Sequence, residues 1–151
     1  MNQIAFDLVP KLRKTIWMIW HQNDSPSRRA RGIAVGVFSG CFPFFGLQTI
    51  MGVFLASIFK GNLFLAAVGT WISNPLTYVP LYLLNYKIGN YLMGARTDPL
   101  QIKDSTFQDI WGQGWFISSR LIIGSACVGF IMSLIIGIIT YNLFKLYYRD
   151  N

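Results

Sequence analysis

The chain has 151 residues, of which 53% are hydrophobic and only 13% are charged, and its formal net charge is +7. A soluble domain carries about 25% charged residues, so this composition excludes an ordinary soluble enzyme, a coiled coil and a disordered tail. We expect no nucleic-acid partner despite the positive charge. Basic residues that flank apolar segments instead set membrane orientation and contact the head groups of anionic lipids.

Residues 1–24 form the first predicted segment. Its apolar residues recur at helical spacing beside basic ones, which is typical of an amphipathic helix that lies on a membrane surface. The alternative is a helix packed against the rest of the protein. We expect contacts with anionic head groups from six basic residues: Lys11, Arg13, Lys14, Arg28, Arg29 and Arg31.

Residues 25–151 form a single predicted membrane domain. Three uncharged runs each exceed the roughly 18 residues that make a transmembrane candidate. The fold class is therefore an all-α integral membrane protein, which we expect to be multi-pass. Its predicted parts are two broken segments (26–59 and 61–88), a cytoplasmic link (89–119) and one clean transmembrane helix (120–145).

Proline interrupts the first two runs. Pro43 and the nearby Gly46 split the first, and Asn74-Pro75 splits the second, which leaves halves too short to cross about 30 Å of hydrocarbon. Asn74 before Pro75 predicts the start of a new half-helix. The broken segments are either two re-entrant hairpins or two kinked spans. Because non-helical backbone at membrane depth must be covered by protein or water, we expect the two breaks to lie close together.

Small residues recur every four positions in the first and third runs. Such stripes allow close approach of helices in lipid. They predict helices that pack on each other or on a second copy, so a homodimer is one of two expected outcomes. One stripe contains Gly32, Gly36 and Gly40, and the other contains Ser125, Gly129, Ser133 and Gly137.

The distribution of Lys and Arg predicts the orientation. Most of the 13 basic residues fall within residues 1–31 and 87–120. These regions share a side if both broken segments cross the bilayer, or if both return. The positive-inside rule then places the N-terminus and the link in the cytoplasm and the tail outside.

Polar side chains surround both breaks, and they allow two interpretations. They satisfy backbone groups freed by proline, or they form a small polar site where half-helix N-termini hold an anionic group. The runs contain no ionisable Asp, Glu, Lys, Arg or His, so we expect no proton coupling through a buried carboxylate. The candidate site residues are Gln48, Thr49, Thr70, Ser73, Asn74 and Thr77.

Nothing in the sequence predicts catalysis. No nucleophile lies in a pattern with a base, and no metal-ligand cluster or phosphate-binding glycine loop is present, so we expect no enzyme activity, metal or cofactor. Cys41 and Cys127 fall within apolar runs and are predicted to be packing residues.

A family resemblance rests on Ser25-Pro26, on Gly46-Leu47-Gln48-Thr49 and above all on the stretch Gly-Thr-Trp-Ile-Ser-Asn-Pro-Leu-Thr at 69–77. These motifs resemble the bacterial membrane family designated domain of unknown function 2062. The resemblance implies a bacterial inner-membrane protein, and fusions of some relatives to glycosyltransferase domains imply work on envelope polysaccharide or lipid. Two hypotheses follow: a carrier or scramblase-like protein for a lipid or small anionic solute, or a non-catalytic assembly or scaffold protein for an envelope enzyme.

Overall fold

The computed structural model describes residues 24–44, 46–94 and 107–149, and every regular secondary-structure element in these parts is a helix. The predicted all-α class is therefore confirmed. The predicted amphipathic segment lies outside the described residues, except for Asp24. The helices are α1 (Pro26–Gly40), α2 (Leu47–Ile58), α3 (Leu63–Gly69), α4 (Tyr78–Leu92) and α5 (Phe107–Arg149), and a short 3₁₀ helix (Thr70–Ile72) extends α3.

Helix α1 packs against α3 through the glycine stripe. The helices are parallel, because Gly32 lies against Asn62 and Gly40 lies against Thr70. The contact is backbone to backbone: a Cβ atom on Gly36 would lie 2.1 Å from the Ala66 carbonyl oxygen. This stripe is therefore used inside one chain, as close packing of helices by small residues requires.

Helix α2 runs back alongside α1 to form an antiparallel hairpin. The turn after α2 lies beside the start of α1, where the Asn62 amide donates a 3.0 Å hydrogen bond to the Arg28 carbonyl oxygen. Lys60 in this turn has a φ of 53°, and the Gly61 amide closes the turn by donating to the Ala56 carbonyl oxygen.

Helix α4 continues in the direction of α3 and packs against α5. Gly89 of α4 lies against the Arg120 backbone, and Gly124 of α5 lies against the Asn85 backbone. Further along α5, Gly129 lies against Phe38 of α1. The second stripe therefore packs on α1 and α4, since Ser125 bonds Asn85 and Gly137 lies against Ala34.

The bundle has two distinct ends. The Asp24 end contains Asp24, Asn62 and Phe144, because Asn62 bonds Asp24 and the Arg29 guanidinium lies 4.8 Å from the Phe144 ring centroid. The Arg120 end contains Gly89 and Arg120.

This arrangement bears on the predicted sidedness. The start of α1 and the end of α5 lie at the Asp24 end, whereas the end of α4 and Arg120 lie at the opposite end. The expectation that residues 1–31 and 87–120 share a side of the membrane stays a prediction, but the described parts of these two regions lie at opposite ends of the bundle. The reason is that the first broken segment returns while the second continues, so the two segments do not behave alike.

Helix α5 is longer than the predicted span at 120–145. It begins at Phe107 and has no break at Arg120, since no proline interrupts it. Its stretch Gly114–Tyr147 is long and apolar enough to cross a bilayer, and only 22% of its most apolar window is buried against the rest of the chain. Length, composition and exposure together indicate membrane association.

Candidate functional site

The two helix breaks lie side by side. A Cβ atom on Gly40, where α1 ends, would lie 2.9 Å from the Thr70 carbonyl oxygen. Across the breaks the Ser73 hydroxyl donates a 3.0 Å hydrogen bond to Oε1 of Gln48. The hydroxyls of Thr49 and Thr70 lie 3.1 Å apart. The first turn of α2 is therefore joined to the second break by two polar pairs.

The second break is held by its own side chains. The Asn74 amide oxygen accepts hydrogen bonds from the backbone amides of Leu76 and Thr77, at 2.9 and 3.1 Å. The Thr77 hydroxyl donates a 2.6 Å hydrogen bond to the Ile72 carbonyl oxygen. This contact holds residues 74–77 in a turn, so α4 begins at Tyr78 rather than at Pro75 as predicted.

The candidate residues thus fall into two neighbouring groups. Four of them form one cluster across the breaks, and Asn74 and Thr77 stabilise the adjacent turn. Gln48, Thr70 and Ser73 are buried. Pro43 is half-buried, while Gly46 and Pro75 are exposed. Gly46 has a φ of +82°, a left-handed conformation that glycine adopts without strain.

Sequence reasoning missed Asn85, which closes the top of the hairpin. Its side chain is fully buried, and its amide nitrogen donates 2.9 Å hydrogen bonds to the Cys41 carbonyl oxygen and to the Ser125 hydroxyl. The bond to Cys41 satisfies a backbone carbonyl that the end of α1 leaves free. An amide side chain inside an apolar run was the available signal. Cys41 is a buried free thiol and Cys127 a half-buried one.

A second polar cluster was also missed, and it lies at the Asp24 end. The buried Asp24 carboxylate accepts hydrogen bonds from the Arg28 guanidinium at 2.9 Å and from the Asn62 amide. Asn62 in turn caps α3 by accepting from the Leu65 amide at 2.9 Å. This cluster fixes where the hairpin turn lies. Within the described residues, no group of three or more His, Cys, Asp or Glu side chains could hold a metal ion.

The breaks can be located along the axis of α5. Cys41 shares the Asn85 amide with Ser125 and lies against Gly129. Ser125 and Gly129 are about 8 and 13 Å along the helix from Arg120 at 1.5 Å per residue. The distance from Arg120 to Phe144 is about 36 Å on the same basis. The breaks therefore lie within the apolar length of α5, in the half nearer Arg120.

These features define a class of protein: an all-helical chain built on one long apolar helix, with two helix breaks joined by polar side chains. The model of a bacterial family described as "Uncharacterized protein conserved in bacteria (DUF2062)" matches residues 11–151, and the chain belongs to this family. The resemblance carried by the sequence motifs is thereby confirmed. No curated protein and no solved structure matches the chain.

Proposed function

We propose that this chain is a non-catalytic, multi-pass protein of the bacterial inner membrane that acts as a carrier or scramblase-like protein for a lipid or a small anionic solute. The observation that carries the proposal is the pairing of the two breaks. Gln48–Ser73 and Thr49–Thr70 place polar groups within the apolar length of α5. Polar groups at such a depth are costly in lipid and mark substrate pathways in many membrane proteins.

The proposed topology follows from taking α5 as a span. The α1–α2 hairpin then enters and leaves on one side as a re-entrant segment, and α3–α4 crosses as a broken span. Among the described residues, six basic ones lie at the Asp24 end and two at the Arg120 end, so the positive-inside rule favours a cytoplasmic Asp24 end. The six are Arg28, Arg29, Arg31, Lys60, Lys145 and Arg149, and the two are Lys87 and Arg120. In this topology the N-terminus stays cytoplasmic, the tail is also cytoplasmic, and the 89–119 link is external.

We propose that the path to the polar pairs opens toward the Arg120 end. Helices α1, α2 and α3 all end or begin at the level of the breaks, and of the described elements only α4 and α5 continue beyond it. Non-helical backbone at this depth must be covered by protein or must line water. That requirement is met by water above the hairpin, or by a second copy of the chain that packs on the exposed side chains of Phe44, Trp71 and Leu76. We therefore propose that the protein works as a homodimer around a wet, polar vestibule.

The start of α2 suits an anionic group in this vestibule. Gly46 precedes the helix, and no side chain of the described residues caps it. The first backbone amides of a helix carry positive partial charge, which favours a phosphate or carboxylate nearby. No Asp, Glu, Lys, Arg or His lies in the 41–44 and 70–77 stretches. We therefore propose passive movement rather than proton-coupled transport.

One observation favours the second candidate function, a scaffold for a membrane-associated envelope enzyme. The polar pairs bond each other, so in this conformation Gln48 and Ser73 already have partners. A transport role requires the pairs to exchange partners with the substrate, whereas a scaffold role requires only that they hold the breaks together.

A lipid-transfer assay in liposomes separates the two functions. We expect purified protein to accelerate the movement of head-group-labelled phospholipid between leaflets. Gln48→Ala and Ser73→Ala are expected to slow it by about tenfold, because each removes one buried polar partner worth about 1 to 3 kcal/mol. Transfer is measured as the fraction of label that an impermeant quencher reaches over time.

The matched control is Ser57→Ala, which removes an exposed hydroxyl from the other end of α2. It is expected to transfer lipid like the wild type. Wild-type protein that inserts fully but transfers neither labelled lipid nor phosphate-bearing solutes would rule out the carrier and leave the scaffold.

A further inference from the structure

An apolar groove runs along α1 between α2 and α5. It encloses about 350 Å³. Its walls come from three helices and consist of Ala34, Val35, Phe38, Leu55, Phe59 and Phe130. One polar side chain, Ser133, also lines it, but the Ser133 hydroxyl already donates a 2.9 Å hydrogen bond to the Phe130 carbonyl oxygen. An occupant therefore meets a carbon surface that offers no free polar partner.

The groove ends near two basic side chains. Arg31 lies on the groove face of α1, three and four residues before Ala34 and Val35, where helical spacing places side chains on one face. Lys60 directly follows the groove residue Phe59 in the turn after α2. Both basic side chains are exposed, and within the described residues neither forms an ion pair. Asp24, the buried acid at this end, is already bonded to Arg28 and Asn62.

We propose that this groove binds one acyl chain of an anionic phospholipid, whose phosphate lies between Arg31 and Lys60. The charge pattern selects this occupant: an apolar trough with a positive mouth complements an apolar chain beneath a negative head group. The volume also fits a chain better than a helix. A helix with its side chains is about 10 Å wide, whereas 350 Å³ lies at the lower end of small-ligand pockets.

The inference rests on the membrane placement in the proposed function and is separate from lipid movement. The groove runs from Phe38 and Phe130, near the level of the breaks, toward the Asp24 end, and none of the residues of the polar pairs lines it. It assigns a resident lipid of the proposed cytoplasmic leaflet to one face of the hairpin. Because acyl chains gain little by leaving bulk lipid, the selectivity comes from the head group, at about fivefold in affinity for each basic residue near it.

Native mass spectrometry of the delipidated protein tests the proposal, with phosphatidylglycerol or phosphatidylcholine added in equal amounts. We expect one phosphatidylglycerol per chain to survive at activation energies that remove phosphatidylcholine. Arg31→Gln with Lys60→Gln is expected to abolish this preference. Lys87→Gln removes one positive charge at the Arg120 end and is expected to retain it.

A second variant tests the trough itself. Val35→Phe fills the groove and is expected to remove the retained lipid while the basic residues remain. The proposal is overturned if wild type retains both lipids equally, or if Lys87→Gln loses the preference as fully as the double variant. A dimer that Val35→Phe dissociates would show instead that a second copy occupies the groove. If the wild type transfers lipid but retains no phosphatidylglycerol, the groove proposal has failed. If it retains phosphatidylglycerol but transfers no lipid, the carrier function has failed.

Discussion

Gly124→Ala is expected to cause a large loss of stability, because it forces α4 and α5 apart at their tightest contact. A Cβ atom at this position would lie 1.7 Å from the Asn85 carbonyl oxygen and 2.6 Å from its carbonyl carbon. The backbones must separate to relieve this overlap, and the movement pulls Asn85 away from Cys41 and Ser125. Overpacking of this kind costs about 1 to 3 kcal/mol or more. Thermal unfolding in detergent measures the loss.

Gly114→Ala is the matched control on the same helix. A Cβ atom there meets nothing within 4 Å. The same chemical change is then expected to leave the unfolding temperature unchanged or slightly raised, since alanine favours a helix over glycine by about 1 kcal/mol. Equal unfolding temperatures for Gly124→Ala and wild type would mean that α4 and α5 do not approach as described.

Asn62→Ala is the second substitution for which we expect a large effect. Asn62 caps α3 through the Leu65 amide and also donates to the buried Asp24 carboxylate. Loss of the cap costs about 0.5 to 2 kcal/mol, and loss of a partner for a buried charged group costs about 1 to 3 kcal/mol. We therefore expect a destabilisation of about 2 to 4 kcal/mol, measured as a lower unfolding temperature and lower abundance in membranes.

The control for this substitution is Asn142→Ala, which removes an exposed amide from α5. It is expected to have the same unfolding temperature as the wild type. If Asn62→Ala were equally harmless, the Asp24–Asn62 contact would not be what fixes the turn beside the start of α1.

The sequence predicted the local features that small residues and prolines dictate. Pro43 and Asn74-Pro75 interrupt the apolar runs that contain them, and a four-residue repeat of small residues marks a close helix contact. The helical class and the positions of both breaks follow from these rules. The requirement that exposed backbone be covered also predicts neighbouring breaks, which is where Gly40 and Thr70 lie.

The direction of α2 did not follow from the sequence. The sequence pattern of a half-helix of this length is the same whether the helix continues across the membrane or turns back. A contact between two residues that are far apart in the chain decides between these courses. The side-chain amide of Asn62 donates to the Asp24 carboxylate and holds the turn at the start of α1. Asn85 was missed for the same reason, since its partners Cys41 and Ser125 come from two other helices.

Single-cysteine labelling in intact cells tests most directly whether a returning hairpin lies beside a broken span. Cysteines replace Lys60, Tyr91 and Leu146 in turn, in a chain that carries Cys41→Ala and Cys127→Ala. The last two sites are exposed side chains near the Arg120 end and the Asp24 end, respectively. We expect an impermeant maleimide to label Tyr91→Cys from outside, and to label Lys60→Cys and Leu146→Cys only after the membrane is opened. Labelling of Lys60→Cys in intact cells, or of Tyr91→Cys only after opening, would contradict the account.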